Sequence, residues 1–207
     1  MPNTKSKKTT GQGKSGTSNG RGKTKNSNGN GSSTAELQNL KLEKFFEDSL
    51  KDIYWAEKQL MKALPKMRKA ATTKELQDAI DNHTAQTEDQ AARLEKVFEI
   101  LGKKAQAKKC DGMEGLIAEG EKVIEETDEA SMTRDVGIIV SVQKVEHYEI
   151  AAYGSLVQLA ITMGQDEIAD ILNEILQEEK DTDELLTEIA ESNINWEAEL
   201  EGEGSEE

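Results

Sequence analysis

Four stretches of this chain place apolar residues at helical spacing, and in each the apolar line is broken near its middle by a carboxylate. The clearest runs from Val136 to Ala160, where Val136, Ile139, Val140, Gln143, Glu146, Ile150, Tyr153, Val157 and Ala160 share one face. Glu146 stands where a leucine would be expected. A carboxylate on a buried face is costly to keep ionised unless it is paired, hydrogen-bonded or bound to a metal, so the other stretches must supply a partner.

The remaining features favour helices. Beyond residue 2 the only proline is Pro65, and aromatic residues are few. No run approaches the roughly 18 apolar residues of a membrane span. The single cysteine, Cys110, offers no disulfide framework, so a soluble, cytoplasmic protein is expected. Residues 1–35 carry seven basic side chains and no acid, which leaves 19 basic against 41 acidic residues in the rest of the chain. An acidic body of this kind repels nucleic acid and anionic lipid and attracts cations.

Taken in order, residues 1–38 form a basic tail rich in Gly, Ser, Asn and Lys that is expected to be disordered. Any contact with nucleic acid would pass through this tail. A bundle domain is expected over 39–192. Its first helix runs from about Leu40 to Ala71, with Leu42, Phe45, Phe46, Leu50, Ile53, Leu60, Leu64 and Met67 as its stripe and Pro65 set to kink it or end its regular part. Thr72 or Thr73 caps the second, which Gly102 closes. The stretch from Lys103 to Ala130 is too long for a tight turn and contains a short helix over 112–126. It can return along the bundle, which would leave the second and third long helices parallel. Asp166 to Ala190 forms the last long helix, and 193–207 reads as an acidic tail whose Trp196 can fold back on the bundle.

Four long amphipathic helices with one long crossover describe an all-α, ferritin-like four-helix bundle with an extra short helix. Glu57, Glu88, Glu146 and Glu179 lie near the midpoints, and antiparallel packing keeps midpoints level. Carboxylates converging at one depth repel unless cations sit among them. Such oxygen-rich ligands suit iron or manganese, and bridging carboxylates can hold two ions. Glu149, Glu178 and Asp183 are further ligand candidates, and open coordination positions would admit dioxygen or peroxide. His83, five residues before Glu88, is read as a core or supporting histidine ahead of a ligand, and His147 as a surface residue. Tyr54, Tyr148 and Tyr153 are read as core-rim residues, with Tyr54 a neighbour or extra ligand of the site. The ordinary alternative for each carboxylate is a salt bridge or an exposed position; for Glu146, Lys144 is the nearby cation.

The runs DSLKDIYWAEKQLMKALPKM (48–67), HTAQTEDQAARLEKVFEILG (83–102), QKVEHYEIAAYGSL (143–156) and EEKDTDELLTEIA (178–190) resemble the bacterial YciE/YciF family of ferritin-like proteins over about residues 40–192. The resemblance implies a di-iron site, homodimers and a link to stress responses. On matching positions it points to Glu57, Glu88, Glu146, Glu149 and Glu179. Many di-iron bundles place a His three residues after a Glu on two helices. Here Ala91 follows Glu88 and Thr182 follows Glu179 at that spacing, so the site is expected to be rich in carboxylate and poor in nitrogen. The expected function is iron binding with ferroxidase or peroxide-consuming activity. The rivals are a non-enzymatic dimeric structural or interaction protein, and a DNA-associated protective protein using the basic tail.

Overall fold

The computed structural model of the chain describes residues 31–201, with side chains from residue 40 onward. The elements are α1 (Gly31–Ala70), α2 (Lys74–Ile100), α3 (Asp111–Glu126), α4 (Met132–Thr162), α5 (Asp166–Ile189), a π-helical turn (Ala190–Ile194) and α6 (Asn195–Leu200). The chain is all-α: four long helices form a ferritin-like bundle, and α3 lies in the long crossover. α1 begins at Gly31, earlier than the apolar pattern places it, and residues 1–30 of the expected tail lie outside the described residues. It also continues through Pro65 to Ala70. Pro65 is exposed, so the carbonyl its ring leaves unbonded can be met by water.

α1 packs against α2 and α4, and α5 packs against the same two helices, so α1 and α5 sit on one diagonal and α2 and α4 on the other. One buried carboxylate joins their ends. Asp135, in the first turn of α4, accepts from Thr72 N (2.6 Å), Thr73 N (2.8 Å) and Thr73 Oγ1 (2.8 Å) at the entry to α2. The starts of α2 and α4 therefore lie at the same end, and the two helices run parallel. Side chains cap the starts of α2, α3 and α4: Thr73, Cys110 and Ser131 accept from Leu76 N, Met113 N and Arg134 N.

The crossover depends on two glycines. A Cβ on Gly120 would lie 2.5 Å from Met67 Cε of α1, and one on Gly137 would lie 2.5 Å from Val123 Cγ1. Hydrogen there lets α3 lie close against α1 and α4. Beyond α5 the helical path continues to Leu200, within the stretch read as an acidic tail; Ile194 is buried and α6 lies against α4. Trp196 does not fold back; it is 71% exposed. Glu201 instead returns to the start of α4 and accepts from Met132 N, Thr133 N and Thr133 Oγ1. Among the described residues, no helix is long and apolar enough to cross a membrane.

Candidate metal centre

At mid-bundle the apolar core, with Leu60, Leu94, Val145 and Ile175 among its members, gives way to polar groups from all four long helices. Glu57 of α1, Glu146 and Glu149 of α4 and Glu179 of α5 are each 0% exposed, and His83 of α2 is 1% exposed. Helical geometry brings Glu146 and Glu149, one turn apart, to the same face, and Tyr153 continues it one turn later. His83, Glu146, Glu149 and Glu179 each offer one ligand atom, and these atoms lie within 4.8 Å of one another. His83 Nε2 is 3.0 Å from Glu146 Oε1. Tyr153 donates its hydroxyl to Glu57 Oε1. Both oxygens of Glu146, Glu149 and Glu179, Oε2 of Glu57 and both His83 nitrogens are buried without a well-aligned hydrogen-bond partner.

Such crowding raises the cost of ionisation. Burial pushes the Glu57 carboxyl up to about 7, with Glu146 adding to the rise, while the Tyr153 hydroxyl and His83 oppose it. Glu149 is raised well above the usual carboxylate range by burial and by Glu57, Glu179 and Glu146. Glu179 is raised by burial and by Glu146 and Glu57. Burial works against a charged His83, but the carboxylates of Glu146 and Glu57 outweigh it and raise the imidazole. The Tyr153 phenol is held well above its ordinary value by burial and by Glu57, Glu149 and Glu179, so it remains a donor.

Four of the five carboxylates expected from the sequence, Glu57, Glu146, Glu149 and Glu179, thus meet; Glu88 does not. It lies on the exposed face of α2, because Thr87, one residue earlier, takes the inward position and Gln90 and Ala91 follow on the buried side. His83 occupies the α2 corner of the cluster, a more central place than its supporting reading gave it. Glu178 is turned aside, accepting from Gln90 Nε2 (3.0 Å) and from Arg93. Asp183 faces the exposed His147, with 3.3 Å between Oδ2 and Nε2. Tyr54 is buried, but its hydroxyl donates to Glu95. Tyr148 and Cys110 form a separate pair, 2.9 Å apart, and Tyr148 also donates to Asp52. Cys110 is buried, although Lys108 and Lys109 precede it in the sequence.

The donor set suits a cation. One imidazole and four carboxylates, buried and with most of their oxygens lacking a hydrogen-bond donor, match the nitrogen-and-oxygen ligation of iron or manganese better than thiolate-rich zinc ligation. Fold and site together define an all-α, ferritin-like bundle whose buried carboxylate and histidine cluster could hold a metal ion. The chain belongs to the family described as a domain of unknown function, DUF892, whose family model matches residues 41–199. It is 44% identical over 163 residues to Protein YciF of Escherichia coli (strain K12), spanning 78% of this chain and 98% of that protein. The crystal structure of the E. coli stress protein YciF is similar with a TM-score of 0.71 at 43% identity, covering 74% of this chain and 97% of that one. YcfI from Rhodopseudomonas palustris, to which a structural role is provisionally ascribed, has a TM-score of 0.69 at 38% identity over 70% of this chain and 92% of its own. A Xanthomonas campestris protein follows with a TM-score of 0.61 at 26% identity, over 78% and 99% respectively.

Proposed function

We propose that this protein is an iron-binding stress protein that oxidises Fe(II) with peroxide or dioxygen at the mid-bundle cluster, two ions per chain. The observation that carries this reading is the set of buried oxygens on Glu57, Glu146, Glu149 and Glu179, most of them without a hydrogen-bond donor, around one imidazole. Buried carboxylates in this number are costly to keep charged without cations. Iron bound here would supply the redox chemistry, with manganese an alternative occupant. With peroxide, two Fe(II) ions supply two electrons, and two protons complete the conversion of hydrogen peroxide to two waters. The chain's own residues bind and orient: His83 provides the nitrogen, the four glutamates balance the cationic charge, and the surrounding core excludes bulk water. E. coli YciF is called a stress protein, and its likeness to this chain supports the physiological setting. A homodimer and a cytoplasmic site of action belong to the same reading.

A second reading follows from the raised carboxyls. With Glu57, Glu149 and Glu179 protonated, the cluster needs no cation, and the bundle would serve as a structural or interaction protein, in line with the role provisionally ascribed to YcfI. Anaerobic Fe(II) loading followed by iron analysis separates the two. The metal reading expects close to two irons per chain, lost in Glu146→Gln/Glu149→Gln, and Fe(II) oxidation by peroxide that the same variant abolishes. No retained iron in the wild type would refute it.

A further inference from the structure

We propose that Tyr153 is the positioning residue that makes Glu57 a one-oxygen ligand and so sets the affinity of the second metal ion. This rests on the metal reading above. Glu57 stands apart from its neighbours. His83, Glu146, Glu149 and Glu179 form the mutually close group, and Glu57 faces it from α1 with one oxygen already engaged. The Tyr153 hydroxyl holds Oε1, whereas Oε2 is buried without a partner. Both side chains are wholly enclosed, so no water competes for either oxygen. Tyr153 itself cannot move aside easily, because its ring is one of the largest fully buried side chains of the core. The two oxygens of Glu57 therefore have separate roles: Oε1 is fixed by the phenol, and Oε2 is the atom presented to an ion. Hydrogen-bond partners of this kind orient ligands, and their removal typically costs about 10- to 100-fold in metal affinity. The first ion, held by the other four residues, depends little on Tyr153.

The test is titration of the chelator-stripped full chain with Co(II), an oxygen-insensitive stand-in for Fe(II), followed by calorimetry and visible absorption. Wild type should take up Co(II) in two steps. Tyr153→Phe should retain the first step, weaken the second roughly 10-fold or more, and change the second ion's visible bands as Glu57 is freed to reorient. In Glu57→Gln the second step is already weak, and adding Tyr153→Phe should change nothing further. Identical isotherms and bands for wild type and Tyr153→Phe would overturn the positioning role while leaving the metal reading intact. So would a Tyr153→Phe effect that persists undiminished in Glu57→Gln. Wild type that takes up no Co(II) would overturn the metal reading and this inference with it. A measurement on the unsubstituted protein guards against a variant that fails to fold. The second uptake step should carry a tyrosine ultraviolet difference signal that Glu57→Gln removes, since Tyr54 and Tyr148 are bonded elsewhere. Its absence would also overturn the role.

Discussion

Replacing one buried carboxylate should make the metal-free protein more stable, and by an amount that depends on pH. The perturbation is Glu57→Gln, which keeps the shape of the side chain and an oxygen for the Tyr153 hydroxyl but removes the charge. In the folded protein Glu57 is raised from 4.5 to about 7. The folded state therefore holds its proton more tightly than the unfolded state, and wild-type stability falls as pH rises between those values, then levels off. At about 1.36 kcal/mol per pH unit, ionising Glu57 costs the folded state on the order of 3 kcal/mol above pH 7. At pH 4.5 the wild-type group is neutral in the fold and the advantage of glutamine largely disappears. For a chain of this length about 1 kcal/mol moves Tm by roughly 2–4 °C, so the variant's Tm advantage should grow by roughly 6–12 °C between pH 4.5 and 8.5. Thermal melts in chelator at several pH values check this. An advantage that stays flat with pH, or a variant less stable than wild type at pH 8.5, would show that Glu57 is ionised and compensated in the fold. Saturating Fe(II) should reverse the order, because wild type gains binding energy that the variant lacks.

Other predictions probe the frame around the site. Asp135→Ala leaves the amides of Thr72 and Thr73 without their acceptor and should cost about 3 kcal/mol, read by urea unfolding. Gly115→Ala, with open space around the added methyl, should stabilise α3 by up to about 1 kcal/mol. Gly137→Ala forces its methyl against Val123 and should destabilise by roughly 1–3 kcal/mol. Leu94→Ala, at a fully buried core position, should cost roughly 2–5 kcal/mol in the same assay.

How far the sequence could be read differs from helix to helix. On α5 the apolar stripe occupies one clear face, and Ile168, Leu172, Ile175, Leu186 and Ile189, at helical spacing in the sequence, all face inward. α4 is apolar around more of its circumference. Its predicted line included Val140, which is 45% exposed, and the buried arc keeps Ile139, Glu146, Tyr153 and Ala160 of that line while adding Ile138, Val142, Val145 and Leu156. Both lines are helical in period, so periodicity alone could not choose between them. The choice came from α3 and α5, which cover different sides of α4. Glu146 and Glu149 survive the rotation because the buried arc contains them both. Glu88 fails for the opposite reason: it was placed by its depth along α2, and depth says nothing about direction around the axis.

Local rules therefore determined a great deal from the sequence alone: the four long helices, a threonine cap at Thr72 or Thr73, the long crossover with its short helix, the level at which carboxylates interrupt the core, and the shortage of nitrogen ligands. Each follows from spacing along one helix or from residue chemistry. Only the tertiary structure decided which groups meet. It placed His83 beside Glu146, turned Glu178 to Arg93, removed Tyr54 to Glu95 and gave Glu57 to Tyr153. Those pairings join residues on different helices, and they depend on the rotation of each helix about its axis, which the packing of its neighbours sets.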